Sequence, residues 1–168
     1  MSAAAVLFGA LAGLLLLAVV SELASRAGLR RRGRYYVWAP SWRTHMRIDR
    51  QALPGLEPLV RFEVNAEGER GDAVPRDWSD AYRVLVAGGS VAECWFIDQE
   101  SSWPYVIQRC LNEPAILARL GVRRAHVGSI ARSLVACQHI DLMLERVLPR
   151  YGRLDAIVFM VGASDLVH

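Results

Sequence analysis

Three short segments of the chain deliver glycine and serine directly after apolar runs: Gly88-Gly89-Ser90, Gly128-Ser129 and Gly162-Ala163-Ser164-Asp165. A serine just past two glycines, at a strand-to-helix turn, can hold its hydroxyl clear of the backbone as a nucleophile. Neighbouring N–H groups can then meet the negative oxygen of a tetrahedral intermediate. Such a hydroxyl needs a base, because at neutral pH it is a poor nucleophile alone. The four histidines are His45, His126, His139 and His168. His126 falls at a predicted strand end and His168 just past the third segment, but a triad is set by geometry that spacing does not supply. The expectation for all four is an ordinary structural or solvent-facing role. Glu93, Asp98 and Glu100 read as a solvated loop beside Ser90. Neither GxGxxG nor GxxxxGK[ST] is present, which argues against a nucleotide or phosphate cradle. Cys94, Cys110 and Cys137 are odd in number and lack metal spacing, so no metal and no cofactor is implied.

The elements that must position these segments begin at Tyr82. Tyr82 to Ala87 reads as a buried strand ending at Gly88-Gly89. Ser101 or Ser102 can cap a helix with Pro104 in its first turn, and Trp103, Val106, Ile107, Cys110 and Leu111 mark one face of it. Ala115 to Leu120 reads as a short helix stopped by Gly121. Val122 to Val127 is a weaker strand. Ser133 to Leu148 is a helix with Leu134, Cys137, Ile140, Leu144 and Val147 on one side. Ala156 to Val161 is a continuous apolar run of the kind that fills a parallel sheet. Strands alternating with helices of this length predict right-handed crossovers and an α/β sandwich, with chemistry collected at the carboxyl ends of the strands.

Upstream, no charged side chain occurs from Met1 to Ser21, and the mean hydropathy of the whole chain is +0.19. About 20 apolar residues in a helix span roughly 30 Å, the hydrocarbon thickness of a bilayer. No basic residue precedes the run and the sole passable cleavage site has an arginine in its middle, so an uncleaved single-pass anchor over residues 1–22 is expected rather than a signal peptide. The 20 basic residues are all arginine. They are densest at Arg26, Arg30, Arg31, Arg32 and Arg34, where they suit anionic headgroups and favour a cytoplasmic flank. No basic stripe interleaved with aromatics follows, so the net charge of +3 does not imply a nucleic-acid partner. Residues 23–80 read as a basic juxtamembrane linker, rich in Pro and Gly, with one short strand at Val60, Phe62 and Val64.

The segment from about Tyr82 to His168 resembles the first three sequence blocks of the SGNH/GDSL serine hydrolases. Gly88-Gly89-Ser90-Val91 matches that family's Gly-Asp-Ser-Leu block, Gly128 its second-block glycine, and Gly162-Ala163-Ser164-Asp165 its Gly-x-Asn-Asp block. Asn65-x-x-Gly68-x-Arg70-Gly71 and Trp103-Pro104 are similar to bacterial, membrane-tethered members. The resemblance implies a flavodoxin-like three-layer fold, here with about three core strands. It also implies hydrolysis of carboxylic esters, of lipids or acylated carbohydrates. Ser90 would be the nucleophile, Gly128 a backbone oxyanion donor, and Ser164 a side-chain donor in place of Asn. The family's Asp-x-x-His block, which supplies the base, has no counterpart before His168, and low turnover is therefore expected from the chain as given. Its family habit favours the outer side of the membrane. A non-catalytic membrane-tethered binding module is the rival expectation. Three parallel strands with two open edges further predict poor folding alone or pairing of the chain with a copy of itself, as a homodimer.

Overall fold

The computed structural model describes residues 3–31 and 35–162 and divides into two compact units, residues 1–35 and 36–168. The first is helix α1 (Ala3–Arg31), 29 residues long. At 1.5 Å per residue it measures about 44 Å. Its stretch Phe8–Ser25 has a mean hydropathy of 2.0, and none of it is buried within the chain. A helix of that length and composition can cross a membrane or serve as a signal sequence. It runs past the expected boundary at residue 22, and no Pro interrupts Glu22 to Arg31.

The second unit opens with a hairpin. Strand β1 (Arg43–Arg47) pairs antiparallel with β2 (Leu59–Glu63), Thr44 opposite Phe62. Val60 and Phe62 are fully buried, as their alternation with Arg61 and Glu63 predicts. Asn65 then folds the chain back on itself: its Oδ1 accepts from the N–H groups of Glu67 and Glu69, and Gly68 takes φ +75°. Residues 36–80 therefore do not form a linker. They lie inside the globular unit, anchored by apolar side chains that a Pro- and Gly-rich composition conceals.

Strand β3 (Ala81–Gly88) is the centre of a parallel sheet in the order β4-β3-β5, flanked by β4 (Arg124–Ser129) and β5 (Ala156–Met160). Every residue of β3 from Arg83 to Gly88 is buried. Between β3 and β4 lie a single turn, α2 (Ser90–Glu93), then α3 (Trp103–Leu111) with Pro104 in its first turn and α4 (Pro114–Leu120) ended by left-handed Gly121. Val84, Val86 and Val127 face Trp103, Ile107 and Leu111 across one side of the sheet. Between β4 and β5 lies α5 (Cys137–Val147), which buries Ile140, Met143 and Val147. It starts later than expected. Leu134 sits at φ 62°, a left-handed conformation a helix cannot contain, and is 88% exposed, while Cys137 and Cys110 are exposed as well.

One sheet edge expected to be open is covered. Asn112 donates to the Ala125 carbonyl (2.8 Å) and accepts from its N–H (3.0 Å), and Gln108 accepts from Val127 N–H (2.8 Å). Ser129 then exchanges both backbone hydrogen bonds with Arg70. Gln108 of α3, its C-cap Asn112 and one bridging residue thus satisfy the outer edge of β4. Among the described residues no strand pairs with the outer edge of β5.

Candidate functional site

Ser90 is brought to the surface by the backbone around it. Gly88 must be glycine: a Cβ there would lie 2.8 Å from that of Ala92 and would also run into the Met160 carbonyl of β5. Gly89 donates its N–H to that same carbonyl (3.2 Å) and caps α2 in an extended conformation. The chain then turns sharply, so Ser90 stands exposed at the first position of α2, at the carboxyl end of the central strand. First-turn N–H groups have no intrahelical acceptor. Those of Ser90 and Val91 are in that position.

Ser90 opens onto a cleft of about 140 Å³ lined by Gly89, Val91, Val135, Met160, Val161 and Gly162. Two of the three sequence segments therefore meet here, the first through Gly89-Ser90 and the third through Gly162. Ala163, Ser164 and Asp165, with His168, lie outside the described residues. Val91 (57% exposed), Met160 (43%) and Val161 (50%) make the wall apolar.

Gly128 does not join them. It pairs with Leu85, inside β4 rather than beyond its end. Leu85 lies three residue steps before Gly88, about 10 Å of rise, so Gly128 stands back from the strand end that carries Ser90. Its glycine has another cause: the buried Glu69 carboxyl group occupies the space a side chain would need, with its Cδ 2.6 Å from where a Cβ would stand. The part of the strand-to-helix connection that lines the cleft is Val135, several residues further on.

None of the described histidines lines the cleft at Ser90. His126 is 3% exposed, opposite Arg83 in the sheet; its Nε2 is 3.5 Å from Glu69 Oε2 and its ring meets Trp78 edge-on. His139 Nδ1 accepts from Ala136 N–H, where it supports the start of α5. His45 is exposed on β1. Among the described residues no three His, Cys, Asp or Glu side chains are grouped to hold a metal ion.

What the sequence did not disclose is the frame behind Ser90. Glu93 and Asp98 are buried rather than solvated. The Glu93 carboxylate accepts from the Ser133 hydroxyl, which ties α2 to the connection after β4. Asp98 accepts from Arg61 N–H (2.8 Å), Nε (3.1 Å) and Nη2 (2.8 Å) and from Glu100 N–H (3.2 Å). Arg61 beside it holds the Asp98 carboxyl well below the usual carboxylate range, and the Arg61 guanidinium is raised in turn by Asp98 and Glu100. Behind them Trp38, Trp42, Phe62 and Trp95 form an aromatic cluster with centroids 4.8–6.0 Å apart. Arg61 and Asp98 lie 37 positions apart in sequence and Glu93 and Ser133 lie 40 apart, and no local pattern announces such pairs.

No family model matches the chain, and neither a curated protein nor a solved structure matches it.

Proposed function

We propose that the chain is a membrane-tethered ester hydrolase of SGNH/GDSL type, with α1 as its anchor, a flavodoxin-like second unit and Ser90 as the nucleophile. The observation that carries this reading is the exposed Ser90 at the carboxyl end of the central strand, in a cleft that Gly162 shares. In the proposed reaction Ser90 Oγ attacks the acyl carbon and the alcohol leaves, giving an acyl-serine that water hydrolyses. The oxyanion donors fall to the N–H groups of Ser90 and Val91 and to the third segment, with no role for Gly128. The apolar wall of Val91, Val135, Met160 and Val161 suits an acyl group. Among the described residues no histidine lines the cleft.

One observation favours a second reading, a tethered binding module without turnover: none of His45, His126 and His139 lines the cleft. A base supplied from solution separates the two. With an aryl acetate, whose leaving group is good, imidazole should raise hydrolysis by the full chain in detergent above that by the Ser90→Ala variant. Equal rates for both proteins at every imidazole concentration would favour the binding module.

A further inference from the structure

Arg70 is 3% exposed, an unusual place for a guanidinium, and burial lowers its pKa to about 10. Its hydrogen bonds converge on one short stretch. Nη1 donates to the carbonyls of Glu93 (2.5 Å) and Cys94 (2.8 Å), Nη2 to that of Ile97 (2.8 Å), and Nε to Gln99 Oε1 (3.0 Å). The guanidinium lies over the Phe62 ring, 4.3 Å from its centroid. Glu93 is the last residue of α2 and Cys94 its cap, at φ 52°. The cation therefore closes the carbonyl end of the one turn that begins with Ser90, where a positive charge complements the unsatisfied carbonyls. The backbone of the same residue is bonded in both directions to Ser129 at the end of β4. A four-residue turn makes too few internal hydrogen bonds to hold its own place. Beside the Ser133 hydrogen bond to Glu93 and that of Gly89 to the Met160 carbonyl, this side chain holds the turn at its carbonyl end, where its planar fork serves several acceptors at once.

We propose that Arg70 is the positioning residue for Ser90: by clamping the Glu93, Cys94 and Ile97 carbonyls to the end of β4, it sets where the Ser90 hydroxyl stands over the cleft. This rests on Ser90 as the reactive group, and the test reads the turn and the reactivity separately. In the full chain in detergent, backbone amide exchange is followed by mass spectrometry in wild type, Arg70→Lys and Arg70→Met. Loss of one charge-assisted hydrogen bond corresponds to about a tenfold change in an opening equilibrium. The Ala92, Glu93 and Cys94 amides should therefore exchange at least about tenfold faster in both variants, while those of Val84 to Gly88 stay within about twofold. Lysine should not rescue, because it lacks the fork. Equal loss of protection in β3 and α2, loss of the whole fold, unchanged α2 exchange, or full rescue by lysine would each overturn the assignment. Gln99→Ala, which removes one acceptor and leaves the three carbonyls, should loosen α2 by less than either Arg70 variant; a larger effect would also count against it. Labelling of wild-type Ser90 by a fluorophosphonate judges the hydrolase reading independently: selective loosening of α2 without any labelling would retain the clamp and discard the nucleophile.

Discussion

Substituting Gly128 by alanine separates a packing role from a catalytic one, because alanine keeps the backbone N–H and adds only a methyl group. That methyl would stand 2.6 Å from Glu69 Cδ, about 1 Å inside an ordinary carbon contact. Glu69 cannot retreat along its backbone. Its N–H donates to Asn65 Oδ1 (3.2 Å), its carbonyl accepts from Asn65 N–H (2.8 Å), and Arg70 next to it is bonded to Ser129. The carboxyl group must swing away instead, giving up Asn65 Nδ2 at 3.4 Å and the approach of His126 Nε2 at 3.5 Å. Overpacking costs about 1–3 kcal/mol and a lost hydrogen bond to a charged group about 1.5 kcal/mol more, so Gly128→Ala should destabilise the second unit by about 3 kcal/mol. All five tryptophans lie in that unit, so urea unfolding of the full chain in detergent, followed by tryptophan emission, reports on it. In a Glu69→Ala background the same substitution should cost less than about 1 kcal/mol, since only a 3.3 Å approach to the Glu69 Cβ remains. Equal costs in the two backgrounds would refute the packing account, and a stable Gly128→Ala protein would refute the overlap itself.

Asp98→Asn should lower stability at neutral pH by about 2 kcal/mol, the loss of a charged acceptor facing Arg61. Because the folded Asp98 pKa is depressed, its contribution is fully present above the unfolded value near ~3.9 and is lost as pH falls towards the folded value. The gap between wild type and the variant should therefore narrow below about pH 4; a gap constant from pH 7 to pH 3 would contradict the ion pair. Asn112→Ala should cost about 2 kcal/mol by stranding the Ala125 N–H and carbonyl, and should raise light scattering as the β4 edge opens. Unchanged stability and scattering would mean that solvent covers that edge equally well.

The sheet and its crossovers were legible because their signals are local. The apolar runs of β3 and β5, Pro104 in the first turn of α3 and Gly121 after α4 each declare an element without reference to the rest of the chain. The hairpin was half legible: β2 alternates, but β1 reads Arg-Thr-His-Met-Arg and gains its strand form from the pairing partner. The apolar spacing extends α5 too far towards the N-terminus, because Leu134 continues it while its left-handed backbone does not follow. The site divides in the same way. The glycines before Ser90 point to a turn that the structure contains. Gly128 falls where the resemblance implies a donor, while the side chain that leaves no room for a Cβ there belongs to Glu69, far away in sequence. Glu93 and Asp98 looked solvated because Ser133 and Arg61, which justify burying them, are likewise distant.

The central claim is that the Ser90 hydroxyl is chemically reactive and not merely exposed. Treating the full chain in detergent with a fluorophosphonate and mapping the adduct by peptide mass spectrometry tests it most directly. The account predicts a single modified serine, Ser90, and no adduct in the Ser90→Ala protein. An unmodified Ser90 under conditions that label an ordinary serine hydrolase to completion, or label spread over several serines, would contradict it.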